Sequence, residues 1–216
     1  MVDVSRRNFL KTAGLSIAGA TLACAGFTYG ATYTPKRTLP ISDYGDQFVD
    51  KHILIVYATK CGSTAEIAQA IGESVAKSGA LVEVRPVSKV TSVAEYDAVI
   101  AGSAIRYGAW LTEATEFLME NQEQLSVIPT AVFTVHMLNL DDTEEDRKVR
   151  EGYLTTVNEY IHPISAAFFA GNMDFSKLSF FEKIVSKAVN AVEADKRDWD
   201  TIRTWGTEMG TVFSKS

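Results

Sequence analysis

Five short apolar runs, spaced by stretches of helical period, set the strongest limit on how this chain can fold. Ile53-Leu54-Ile55-Val56-Tyr57 is continuous and rich in β-branched residues, as expected of a strand covered on both faces. Leu81–Val87 alternates and is more polar, which suits an edge strand. Ala98–Ser103, Thr130–Val135 (led in by Pro129) and Ile164–Ala170 complete the set. Between them, Ile67, Ile71 and Val75 form one helical stripe, a helix runs from about Leu111 to Asn121, and Glu144 to Ile161 reads as helical. A last helix spans Arg197–Phe213. Strands alternating with helices imply right-handed crossovers and a parallel sheet. The expected architecture is an α/β three-layer sandwich around a five-stranded parallel sheet. Ligands of such sheets bind beyond the carboxyl ends of the strands, which points to the loops beginning at Ala58, Ser103, His136 and Gly171.

The amino-terminal segment carries an address. Ser5-Arg6-Arg7-Asn8-Phe9-Leu10-Lys11 precedes a weakly apolar, small-residue stretch from Thr12 to Pro35. The paired arginines followed by Phe-Leu-Lys resemble a twin-arginine export signal, and a plain membrane anchor is the competing reading. Leu22-Ala23-Cys24 resembles a lipoprotein processing site that would lipidate Cys24, although Thr21 stands where such sites usually have Leu. Ordinary cleavage near Ala23-Cys24-Ala25, or none, is equally open. The chain therefore divides into 1–35 signal or anchor, 36–50 polar linker, and 51–216 globular domain. The expected location is the outer face of the cytoplasmic membrane or the periplasm.

Charge and composition narrow the function. There are 21 Lys and Arg against 27 Asp and Glu, for a net charge of −6. Without residues 1–35, which carry Arg6, Arg7, Lys11 and Asp3, the balance is 18 against 26. An acidic chain without a basic cluster is not built for nucleic acid. Cys24 and Cys61, with His52, His136 and His162 far apart, offer no metal-ligand spacing, and no metal is expected.

The loop Ala58-Thr59-Lys60-Cys61-Gly62-Ser63-Thr64-Ala65-Glu66 joins the first apolar run to the first helix. Ser63 and Glu66 have the spacing of a capping box. A helix start with a glycine and three flanking hydroxyls suits a phosphate dianion. No Gly-Lys-Ser/Thr ending is present for a triphosphate, and no Gly-x-Gly-x-x-Gly for a dinucleotide. A monophosphate fits best. Thr59-Lys60-Cys61-Gly62-Ser63-Thr64 resembles the FMN-phosphate loop of flavodoxins, which implies a flavodoxin-like fold and FMN as cofactor.

That resemblance assigns the flavin ring to two further loops. Ser103-Ala104-Ile105-Arg106-Tyr107-Gly108 and Trp110 would form one wall, with Tyr107 or Trp110 giving an aromatic face; core packing is an equal alternative for Trp110. His136-Met137-Leu138-Asn139 would form the other wall. Arg106 is a candidate for stabilising anionic reduced flavin or meeting a substrate carboxylate. His136 is a candidate proton donor, although a lone His after a strand is more often structural. Ser-Ala-Ile-Arg-Tyr-Gly at 103–108, Phe168-Phe169-Ala170-Gly171, Phe175–Phe180 and Arg197–Arg203 further resemble menaquinone-dependent protoporphyrinogen IX dehydrogenases. The resemblance implies an FMN oxidoreductase that passes electrons from a porphyrinogen or similar reduced substrate to a quinone, in haem biosynthesis. An exported, membrane-attached flavodoxin carrying electrons between redox protein partners is the alternative. The acidic run Asp141–Asp146 reads as helix-start charge, with docking of a basic redox protein as the lesser reading. The extra segment Asn172–Lys196 has an apolar stripe and reads as a packed helix before a substrate or membrane cover.

Overall fold

The computed structural model describes residues 38–46, 51–174 and 194–215. The signal segment with Cys24, and residues 175–193 of the extra segment, lie outside the described residues. Five parallel strands form the centre: β2 (His52–Ala58), β3 (Leu81–Pro86), β4 (Ala98–Arg106), β6 (Thr130–His136) and β7 (Ser165–Ala170). Their spatial order is β3-β2-β4-β6-β7. The reversal between β2 and β4 is the switch point of a flavodoxin-like sheet, and the fold class is as expected.

Period-two alternation explains both layers of core. On β2, Ile53, Ile55 and Tyr57 face one side, with Ile100 of β4 and Phe133 of β6. Helix α1 (Ser63–Ala76) and the terminal helix α6 (Trp199–Phe213) cover that side through Ile67, Ile71, Ile202 and Trp205. Leu54, Val56 and Ala58 face the other side, under Phe117 and Leu118 of α2 (Thr112–Glu120) and Val157 of α5 (Thr155–Tyr160). Gly102 is required by packing: a Cβ there would come within 2.0 Å of the Phe133 ring.

Two expectations are corrected. Residues 36–50 are not simply a linker, because Ser42–Tyr44 forms β1, paired antiparallel to β3 through Ser42↔Val84 and Tyr44↔Val82. Consequently β3 is not an edge strand. Arg85 holds this added strand from its neighbour, donating to the Ser42 carbonyl at 2.9 Å and pairing with Asp43 at 2.5 Å. Three mostly polar residues carry no strand signal of their own, so pairing decides. The stretch Glu144–Ile161 is also two helices, α4 (Glu144–Gly152) and α5, separated at Tyr153-Leu154. Helix α4 buries none of its residues, whereas Tyr153 and Leu154 are buried. The chain must break there to turn its apolar residues inward. The four-residue helix α3 (Gln122–Leu125) follows α2 directly.

Candidate functional site

The turn from β2 into α1 is built around an exception to normal capping. Gly62 occupies the N-cap with φ 93°, a left-handed conformation that favours glycine, and no side chain caps the helix. Its amide instead donates to Thr59 Oγ1 at 2.9 Å. The N–H groups of the first helical turn are thus left for another acceptor. Thr64 is buried, and its Oγ1 is the one buried side-chain polar atom without a hydrogen-bond partner among the described residues. Ser63 Oγ accepts the Asn172 amide at 2.9 Å, so its own proton remains to be donated. An orphaned hydroxyl, a donor hydroxyl and an uncapped helix start together fit the phosphate of FMN. FMN is the cofactor of this fold, and Thr59, Gly62, Ser63 and Thr64 are the residues that would hold its phosphate. Lys60 pairs with Glu113 of α2 at 2.7 Å, and Cys61 is partly exposed beside it in the chain.

The capping box is not formed. Ser63 is the first helical residue rather than the cap, and Glu66 turns away to bind Arg197. Arg197 also pairs with Asp195 at 2.5 Å and lies 4.5 Å from the Trp199 ring centroid. These contacts raise the Arg197 pKa, with Asp195 the largest cause. Asn172 and Asp195 pair in the two-stranded ladder β8 (Asn172–Met173) and β9 (Ala194–Asp195), the root of the extra segment. Both ends of that root are therefore fastened to the first turn of the phosphate helix. Separations of 109 and 131 residues hide these contacts from local pattern.

The 103–110 stretch is a hairpin. Strand β4 continues to Arg106, turns through Tyr107 (φ 54°) and Gly108 (φ 79°), and returns as β5 (Ala109–Trp110), with Arg106 opposite Ala109. Two expected ligand residues belong to the scaffold. The Ser103 hydroxyl donates to the Ala104 carbonyl and accepts the Leu111 amide at 3.0 Å. Trp110 is buried and donates from Nε1 to Thr134 Oγ1 at 3.0 Å, so core packing claims it. Ala104 and Ile105 pack in part against the same core. Tyr107 is the available aromatic: it is 81% exposed, with the Arg106 guanidinium 5.2 Å from its ring centroid. A left-handed tyrosine is strained, a state typical of ligand-facing turns.

The second wall follows β6. His136 is buried, and its Nδ1 lies 2.7 Å from the Leu138 carbonyl. A carbonyl only accepts, so Nδ1 carries the proton and neutral His136 presents Nε2 as an acceptor. Burial lowers its pKa; the Leu138 carbonyl and Asp146 oppose that shift, while Arg150 adds to it. Tyr153 and Phe168 enclose the ring at 5.7 and 6.5 Å. The side chain is thus fixed in the scaffold, and the proton-donor assignment loses its geometric basis. Leu138 projects outward, Asn139 adopts φ 57° and donates to the Tyr153 hydroxyl at 2.7 Å, and Met137 lies near Gly171. Tyr107 and Leu138 are the exposed apolar groups of the two expected flavin walls.

Residues 54–200 match the flavodoxin domain family model. Protoporphyrinogen IX dehydrogenase (quinone) of Escherichia coli strain K12 is 23% identical over 176 residues, covering 75% of this chain and 96% of that protein. The protein so named from Leishmania major is 22% identical, covering 74% of each. Among solved structures, an archaeal flavodoxin is 16% identical with a TM-score of 0.45, covering 76% of this chain and 99% of the other.

Proposed function

The chain belongs to the flavodoxin domain family, and we propose that it is an FMN-dependent oxidoreductase that oxidises a porphyrinogen or similar reduced substrate and passes the electrons to a quinone. The supporting observation is the length of the match to the Escherichia coli dehydrogenase, which spans nearly all of that protein. The site agrees with it, because the phosphate loop is intact and its orphaned Thr64 hydroxyl calls for an anionic ligand. Bound FMN supplies the redox chemistry; the protein binds, orients and shields it. Thr59, Ser63, Thr64 and the α1 amides hold the phosphate end. The hairpin tip at Tyr107 and the loop at Leu138 offer apolar cover for the ring.

Menaquinone is the acceptor this reading favours, and haem biosynthesis the setting. We further infer export by the twin-arginine route, with attachment at the outer membrane face through the amino-terminal segment or Cys24. That route carries folded proteins, which suits a noncovalent cofactor loaded before export. The exposed acidic start of α4 favours a second reading, an exported carrier that docks a basic redox protein.

One experiment separates these readings. Purified FMN-loaded protein is mixed anaerobically with protoporphyrinogen IX, and the visible flavin spectrum is followed. Bleaching that reverses on adding menaquinone supports the dehydrogenase. A flavin that stays oxidised in the presence of protoporphyrinogen IX, but is reduced by a partner protein, supports the carrier. Conversion of Arg6 and Arg7 to Lys should hold the protein in the cytoplasm, and unchanged export would refute the twin-arginine route.

A further inference from the structure

Beyond the second flavin wall, on the side toward β7, lies a cavity of about 520 Å³ lined by His136, Leu140, Arg150, Phe168, Ala170 and Lys196. The lining takes His136 from the second expected flavin wall and no residue from the phosphate loop or the 103–110 hairpin. Its size is within the usual range for small organic ligands. Its charge is the reverse of the chain's: a protein of net −6 here places two cations and, among the described residues, no carboxylate in the lining.

Arg150 is prepared for an anion. Its Nη1 donates to the Asn139 and Asp141 carbonyls at 2.6 and 2.9 Å. These bonds fix the guanidinium plane, while Nε and Nη2 have no hydrogen bond among the described residues. A planar guanidinium held this way can take a carboxylate through two parallel bonds. Lys196 is held at the end of β7 by its amide, which donates to the Gly171 carbonyl at 3.1 Å. Its ammonium has no ion pair among the described residues. The nearby carboxylate of Asp146 is directed to the Asp141 amide at 2.9 Å. Phe168 and Leu140 supply apolar wall, and buried His136 is held neutral, so it adds no charge.

We propose that this cavity binds an organic acid, with its carboxylate on Arg150 and Lys196 and its apolar body against Phe168 and Leu140. The binding rests on the cavity residues alone and does not depend on the reaction proposed above.

The test titrates full-length, FMN-loaded protein with phenylpropionate, with neutral phenylpropanol and with inorganic phosphate, by calorimetry. Phenylpropionate should bind saturably, about tenfold or more tighter than either control, and Lys196→Gln should weaken it by about tenfold. Equal binding of acid and alcohol would overturn the proposal, as would equal binding of acid and phosphate. So would unchanged affinity in Lys196→Gln, or no binding at all. The flavin absorbance of the same sample reports the other reading independently. Acid binding by a protein that cannot be loaded with FMN would sink the flavin function and leave the cavity assignment standing.

Discussion

Thr64→Val should move stability and cofactor affinity in opposite directions. Valine matches threonine in shape, so the buried site is neither emptied nor overfilled. The Thr64 hydroxyl is buried with no partner among the described residues. An unsatisfied buried polar group costs about 1–3 kcal/mol, and replacing it by a methyl removes that cost. The apoprotein should therefore become more stable by about 1–2 kcal/mol, read as a raised denaturation midpoint with an unchanged slope. With FMN present the hydroxyl would donate to a charged phosphate, a bond worth about 1.5–3 kcal/mol. Its loss should weaken FMN by roughly 10- to 150-fold, measured by fluorescence quenching of the free flavin. At saturating FMN the wild type should regain the advantage through linkage. A less stable apoprotein with unchanged FMN affinity would refute the reasoning, because Thr64 would then be an ordinary scaffold residue.

Three other perturbations test separate parts of the molecule. Gly102→Ala should destabilise by about 1–3 kcal/mol, since the Phe133 ring occupies the space a methyl would need; an unchanged melting temperature would contradict it. Arg197→Met should cost about 1–3 kcal/mol, less than a fully buried pair because Glu66 and Asp195 are 42% and 47% exposed. It should also weaken FMN several-fold by loosening the first turn of α1, which a flavin titration would show. His136, whose pKa is lowered in the folded state by burial, should make stability depend on pH. Above its unfolded pKa of about 6.5 neither state takes the proton, and stability is full; below it the unfolded chain binds a proton that the fold resists, and stability falls. His136→Asn should flatten that slope between about pH 7.5 and 5.5 in urea titrations, and an identical slope would place the effect elsewhere.

What was legible in the sequence was what local chemistry dictates. Ile53–Tyr57 reads as a doubly covered strand, and the parallel sheet followed. Gly62 with Thr59, Ser63 and Thr64 marked the helix start whose side-chain cap is absent. Contacts set by distant partners stayed hidden. Ser42–Tyr44 becomes a strand only because β3 offers an open edge. Glu66 has the spacing of a capping residue, yet a buried arginine far along the chain competes for it and wins. Trp110 and Ser103 sit in the loop where flavin contacts were expected, but the Ala104 carbonyl and Leu111 amide engage Ser103 and the Thr134 hydroxyl engages Trp110. The cavity was equally illegible, because Arg150, Phe168 and Lys196 meet only after β6, β7 and α4 are assembled.

The two-residue ladder of Asn172–Met173 with Ala194–Asp195 has a consequence for how such a protein can change. Departure and return of the chain lie side by side in register, so whatever is carried between them begins and ends at one doorway. Material there can be lengthened, shortened or exchanged while each strand of the main sheet keeps its neighbours. A tight turn joining Met173 to Ala194 would close the doorway, and the parent scaffold would remain. Evolution can thus swap the accessory at this position as a cassette, and the protein engineer can do the same.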